Sequence, residues 1–236
     1  MQPAMGSNAR LSVVLPTYNE EGAVGIVIQD IRTYTRDYQT EIIIVDSSTD
    51  NTPVIAREMG ARVISKPPAG HGDALRTGLS ASQHEIIITA DCDNTYPMDY
   101  IPQLVHLILS GQYDLISCNR LTNRLKKEMP LTNKLANKAF AFLVRSLYGI
   151  TVTDVTTGMF CMTQKLIQNI KLETLLTVPI ELIIKTHLAG FKHREIDIPY
   201  RTRIGNVTLK KWRCGRAAIL CILNYRFNLM LDPKHL

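Results

Sequence analysis

The chain has 236 residues, 45% of them hydrophobic and 20% charged, with a mean hydropathy of zero. That profile excludes a disordered or low-complexity chain and leaves room for one large domain or two small ones. The net charge of +6 is unevenly placed: residues 1–119 sum to −7, 120–145 to +6, 146–184 to −1 and 185–236 to +8, an acidic body carrying two basic segments.

Residues 1–9 are polar, lack the apolar run of a signal peptide, and are expected to be a disordered leader or appended residues. Leu11–Leu15 is a short apolar run stopped by Pro16, as expected of a buried strand. Helical spacing follows over 20–36 through Val24, Val27, Ile28 and Ile31. A second strand spans 41–45 and ends at Asp46, and a Ser/Thr-rich turn leads into a helix over 53–59. Further along, a strand is expected over 61–65, a helix over 73–82, a strand over 85–90 ending at Asp91, a helix over 98–109 and a strand over 113–118. Continuous apolar strands alternating with amphipathic helices predict an α/β fold with a parallel sheet covered on both faces. After Arg120 the rhythm changes to a long basic helical stretch reaching Tyr148, then to irregular sequence.

The five cysteines (Cys92, Cys118, Cys161, Cys214, Cys221) are scattered and never spaced as CxxC, which favours reduced thiols in a cytoplasmic setting over a disulfide framework or zinc site. The apolar stretch 217–231 is interrupted by Asn224, Arg226 and Asn228 and is too short to span a bilayer.

Three predicted strands end in chemically loaded turns, and in open α/β sheets ligands sit beyond those carboxyl ends. The first turn is Pro16-Thr17-Tyr18-Asn19-Glu20, the second begins at Asp46, and the third is Asp91-Cys92-Asp93. Asp46 taken alone reads first as a helix N-cap. Asp91 and Asp93 concentrate negative charge that a hard divalent cation, Mg²⁺ or Mn²⁺, would neutralise, and such an ion usually also binds substrate phosphates.

Taken together, PTYNE at 16–20, VDSSTDNT at 45–52, GHGDALRTG at 70–78 and ADCDNTYP at 90–97 resemble the ordered motifs of the family 2 inverting glycosyltransferases. Within them the chain is most similar to the dolichyl- or polyprenyl-phosphate mannosyl- and glucosyltransferases. DVTTGMF at 154–160, residues 179–201 and RIG at 203–205 extend the resemblance over roughly 10–210.

The resemblance implies a GT-A fold, a mostly parallel sheet flanked by helices, over 10–208, with a C-terminal amphipathic helix over 209–236. It implies that Pro16, Tyr18 and Glu20 line the base and ribose pocket and that Val45 and Asp46 meet the base edge. Relatives usually carry a second Asp where this chain has Ser47, which leaves guanine and uracil open. Asp91, Cys92 and Asp93 would hold the metal and sugar phosphates, with Thr95 where the family often has Gln. His71 and Arg120 would approach the donor, although His71 also reads as a surface loop residue. Arg203 corresponds to the arginine of a loop that closes on the diphosphate. That loop continues as Asn206-Val207-Thr208, so its expected lysine is displaced to Lys210 or Lys211 or is absent. Glu181 would orient the catalytic loop or serve as a helix-dipole partner.

The candidate catalytic residues are therefore Asp93, Arg203 and Asp154. A hydroxyl acceptor needs a general base, for which Asp154 is the one candidate, whereas a phosphate acceptor is already anionic at neutral pH. The expected reaction is hexose transfer from a GDP-mannose- or UDP-glucose-type donor to a polyprenyl or dolichyl phosphate. The alternative is transfer to a hydroxyl of a soluble or glycan acceptor with Asp154 as base. A non-catalytic binding protein is disfavoured by the intact Asp91/Asp93 pair.

Arg124, Lys126, Lys127, Lys134 and Lys138 would attract an anionic headgroup. Trp212, Ile219, Leu223, Phe227 and Met230 recur near helical spacing, which suits either an interfacial helix or one packed on the core. A peripheral position on the cytosolic face of a membrane is the resulting expectation. Nucleic acid is excluded as a partner because no aromatic-interleaved basic motif is present, and a homo-oligomer remains open.

Overall fold

The computed structural model describes residues 9–121, 131–205 and 211–236. The expected 1–9 leader, the boundary at 208/209, Arg124, Lys126, Lys127, Val207, Thr208 and Lys210 lie outside the described residues, apart from Ala9.

A seven-stranded sheet runs in the order β3-β2-β1-β4-β6-β5-β7. Its strands are β1 (Arg10–Thr17), β2 (Gln39–Asp46), β3 (Arg62–Ser65), β4 (Ile86–Thr89), β5 (Leu115–Asn119), β6 (Phe160–Thr163) and β7 (His193–Asp197). β1 is an interior strand, parallel to its neighbours β2 and β4, with Leu11, Val13, Val14 and Leu15 fully buried. A strand buried on both faces needs no polar alternation, which is why its sequence reads as continuous apolar residues.

The helices are α1 (Val24–Tyr34), α2 (Thr52–Glu58), α3 (His71–Ala81), α4 (Ile101–Leu109), α5 (Leu131–Tyr148), α6 (Gln164–Asn169), α7 (Val178–Leu188) and α8 (Lys211–Phe227). α1 turns Val24, Val27, Ile28 and Ile31 into one core, and α3 turns Ala74, Leu75 and Leu79 into the other. α8 packs against α5 and α7, and the Tyr148 hydroxyl donates to the Ile222 carbonyl at 2.5 Å.

The sheet is mostly parallel, as the resemblance implies, and its antiparallel member is β6. It pairs antiparallel with β4 through all four residues and with β5 through Phe160, Cys161 and Met162, so the sequence-adjacent strands β4 and β5 are not neighbours. Phe160 opens β6 opposite Thr89, the last residue of β4, and Ser117 of β5. The residues just before β6, 154–159, therefore lie at the same rim as the turn after β4. β7 runs parallel to β5 and ends at Asp197 opposite Asn119, which delivers residues 198–205 to that rim as well. The inserted strand and β7 thus bring these two later segments to the edge where β1, β2 and β4 end.

α3 lies close on the sheet because position 78 is glycine. A Cβ there would overlap Val14 Cγ1 and stand 3.2 Å from Val45 Cγ2. Gly78→Ala is expected to destabilise the protein by about 1–2 kcal/mol net of the helix-propensity gain, lowering Tm by about 2–8 °C in a thermal melt.

Candidate active site

The turn after β1 places Glu20 beside the turn after β4. Asp93 is buried there: its Oδ1 accepts hydrogen bonds from the Thr95 backbone N–H at 3.0 Å and from the Thr95 hydroxyl. A short threonine thereby fixes the carboxylate's orientation. Oδ2 meets Arg203 Nη1 at 2.6 Å, while Nη2 of the same guanidinium donates to Glu20 Oε1 at 3.1 Å. The Ile204 N–H donates to the Asp93 carbonyl and the Arg201 N–H to the Thr95 carbonyl, both at 3.0 Å. Residues 201–204 are thus laid along the acidic turn by backbone as well as charge.

Asp91 lies nearer solvent, with His71 Nε2 3.2 Å from Oδ1. Burial raises the Asp91 carboxyl, but the bond and charge of His71, with Arg120 and Arg203, more than offset it and hold it below the ordinary value. Burial raises Asp93, and Asp91 raises it further against the bonds from Thr95 and the charge of Arg203. Two adjacent carboxylates are therefore pushed in opposite directions, as in functional acidic pairs. Glu20 is raised to about 7 by burial, despite Arg203, with Asp93 and Asp91 adding to the rise. Glu20 Oε2 and Arg203 Nε are buried without hydrogen-bond partners.

Two hard carboxylates on one turn suit a divalent cation that keeps waters and takes phosphate oxygens, and the orphaned Glu20 oxygen beside them is a polar atom with capacity to spare. Among the described residues, no three His, Cys, Asp or Glu side chains form a closed metal cage.

Asp154 occupies a different setting from the one expected of a base. Its side chain is 0% exposed, and it grips Arg120 through both oxygens: Nε to Oδ2 at 2.7 Å and Nη2 to Oδ1 at 2.9 Å. Asn137 of α5 donates to Oδ1 at 2.5 Å, and the Arg120 N–H donates to Oδ2 at 3.1 Å. Burial raises the Asp154 carboxyl, yet Arg120 and Asn137 bring it below its ordinary value. A carboxylate so paired is a poor proton acceptor. Arg120 in turn stacks over the rings of Tyr96 and Tyr200 at 5.7 and 5.6 Å, and its Nη1 donates to the Tyr96 hydroxyl.

The other expected residues divide in the same way. Pro16, Tyr18, Glu20, Asp46, Asp91 and Asp93 stand at strand ends or on adjoining turns, with Tyr18 exposed and Asp46 buried, and His71 is the first residue of α3 and not a surface loop residue. Asp46 accepts from the Thr17 and Ser48 hydroxyls at 2.8 and 2.6 Å and from the Ser48 N–H at 3.2 Å. It therefore shapes its own turn and does not cap α2, whose N-cap position is Asn51. A cavity of about 530 Å³ opens between Asp46, Ser47, Arg57, Ser65 and Lys66. The Val45 and Cys92 side chains are buried, one in each core, so the expected contacts with the ligand do not come from exposed side chains at these two positions.

Glu181 is fully buried and accepts from the Glu173 and Thr174 N–H groups at 2.8 and 2.9 Å and from the Tyr225 hydroxyl at 2.7 Å. It fastens a segment whose Leu175 carbonyl receives the Gly72 N–H at 2.9 Å, beside His71. Its role is thus to hold the start of α3, a stronger role than a dipole contact.

Sequence reasoning missed Tyr96, Tyr200, Asn137 and Gly158. Tyr96, Gly158 and Tyr200 lay inside quoted motifs, whereas Asn137 carried no local signal. The Gly158 N–H donates to the Tyr96 hydroxyl at 2.5 Å, and a Cβ at 158 would stand 2.8 Å from Asp91 Oδ1 and 3.1 Å from Cγ and Oδ2. Gly158→Ala is expected to displace the Asp91 carboxylate and weaken Mn²⁺-dependent nucleotide binding by about tenfold with little change in Tm. Calorimetric titration beside a thermal melt checks this, and unchanged affinity would remove Asp91 from the ligand set.

The glycosyl transferase family 2 profile matches residues 12–170. A dolichyl-phosphate hexose transferase of Haloferax volcanii is 42% identical over 207 residues, covering 88% of this chain and 90% of that protein. A low-salt glycan biosynthesis hexosyltransferase, Agl6, of the same organism is 29% identical over 92% of this chain and 55% of its own length. Among solved structures, glucosyl-3-phosphoglycerate synthase of Mycobacterium tuberculosis, in complex with Mn²⁺, UDP and glucosyl-3-phosphoglycerate, superposes with a TM-score of 0.75. It is 26% identical, over 96% of this chain and 81% of that one. The chain has the GT-A fold and belongs to glycosyltransferase family 2.

Proposed function

We propose that this glycosyltransferase moves a hexose, with inversion, from a nucleoside-diphosphate sugar to a polyprenyl or dolichyl phosphate at the cytosolic face of a membrane. The observation that carries this reading is the engagement of Asp154. The one candidate base is sealed in a bidentate bridge with Arg120, and a phosphomonoester, with a second pKa of about 6, needs no base at neutral pH. The 42% identity to a protein named for a dolichyl-phosphate acceptor supports the same choice.

In this reading Asp91 and Asp93 hold Mg²⁺ or Mn²⁺, as the Mn²⁺ and UDP complex of the mycobacterial neighbour supports. The ion supplies Lewis-acid stabilisation of the departing diphosphate. Arg203 leaves its bridge to Asp93 and Glu20 and adds a positive charge on the same leaving group. Asp46 and the cavity beside it take the base, and His71 orients Asp91. Arg120, with its guanidinium held by Asp154, Tyr96 and Tyr200, acts as a rigid wall of the sugar site. Asp154 is a positioning residue for that arginine.

Purified protein with Mn²⁺, a nucleotide sugar and a short polyprenyl phosphate in detergent is expected to form the glycolipid, and EDTA to abolish it. Product formed only on a soluble hydroxyl acceptor would overturn the reading. Titration with GDP and with UDP, each with Mn²⁺, assigns the base.

Asp154→Asn separates the two roles. Removing one partner of a buried ion pair costs about 3–5 kcal/mol, so Tm is expected to fall by about 6–20 °C. In the folded fraction the loosened Arg120 should raise the KM for the nucleotide sugar more than it lowers kcat. A collapse of kcat at unchanged Tm would restore Asp154 as the base.

A further inference from the structure

Away from the catalytic rim, α5 and α8 leave a surface that the transfer reaction does not use. α5 buries Asn137, Ala141 and Val144. Leu131, Leu135 and Phe142, at spacings of four and seven that share one helical face, are 80%, 69% and 60% exposed. α8 buries Ala217, Ala218, Cys221 and Ile222 and leaves Trp212 94% exposed, with Ile219 and Phe227 on the same face. Leu229 and Met230 continue the exposed apolar chain just beyond it. The helices pack on each other, with Gly215 facing the Phe140 ring. Eight of the fourteen exposed large apolar side chains among the described residues belong to this one pair and its tail. That is a patch, not scattered exposure.

The charges choose the occupant. α5 carries Lys134, Lys138 and Arg145, and α8 carries Arg213, Arg216 and Arg226, while neither helix has an acidic residue. Helical spacing sets Lys138 and Arg145 alongside Leu135 and Phe142, and Arg216 and Arg226 on either side of Ile219. A second copy of the chain would bring cations against cations with no carboxylate to pair them. An anionic lipid surface satisfies both halves: the apolar side chains enter the acyl boundary and the basic heads remain among the phosphates. We propose that α5 and α8 form the face by which this protein docks on an anionic bilayer. The docking deepens the lipid-acceptor reading and rests on it for its purpose. α5 also holds Asp154 and the Val155 N–H through Asn137, so the docking helix is fastened to the segment beside Asp91.

Trp212 is the chain's one tryptophan and reports on this face directly. With the full chain, phosphatidylserine-rich vesicles are expected to shift its emission to the blue, neutral phosphatidylcholine vesicles to do so far less, and added salt to weaken the effect. The double variant Leu135→Glu with Phe227→Glu should lower partition by more than about tenfold while Tm and metal-dependent nucleotide binding stay unchanged. No shift with anionic vesicles, equal partition of the variant, or Trp212 already shielded from iodide in lipid-free protein through self-association would each overturn the proposal. Glycolipid formation in detergent by a protein that ignores vesicles removes the docking alone. Docking by a protein that glycosylates only soluble hydroxyls removes the acceptor reading alone.

Discussion

Three carboxylates crowded on one sheet edge set the terms for the rest of the molecule. Glu20, Asp91 and Asp93 come from the ends of two adjacent strands, and their mutual repulsion needs compensation from outside those strands. Arg203 answers Asp93 and Glu20 together, and His71 answers Asp91. Both partners arrive from elsewhere in the fold, one beyond β7 and one at the start of α3. Each meets the acids through its side chain, while backbone hydrogen bonds at 201 and 204 and at Gly72 hold its segment independently.

The antiparallel strand β6 makes this economy possible. By entering between β4 and β5 it begins at the rim where they end, so the turn before it lies against Asp91 and supplies Asp154 to Arg120. Gly158 fits there because a side chain would occupy the space of the carboxylate. The buried Arg120–Asp154 bridge then fixes the wall opposite the acidic turn, with Tyr96 and Tyr200 enclosing the guanidinium. Through Asn137 the same bridge reaches α5, so the apolar and basic outer face and the catalytic rim share one rigid connection.

Much of the site was legible because its signals are local. A strand buried on both sides reads as an apolar run, and a turn loaded with Asp and Glu after it reads as a ligand edge. The C-terminal stripe was legible as a period but not as a direction. The same spacing fits a packed helix and an interfacial one, and α8 proves to bury its alanines and Cys221 while turning Trp212 and Phe227 outward. Val45 and Cys92 show that a motif position next to the rim can have its side chain in the core, which the local pattern does not record.

By itself, the sequence determined the alternation of strands and helices, the acidic turn and the order of the motifs, since each depends on neighbours within a few residues. Tertiary structure alone decided what each charge does. Asp154 meets Arg120 across 34 residues and Glu20 meets Arg203 across 183. Whether a carboxylate serves as base, metal ligand or buried anchor depends on its counter-charge and exposure to water. Both are set by long-range strand pairing, which no local pattern records.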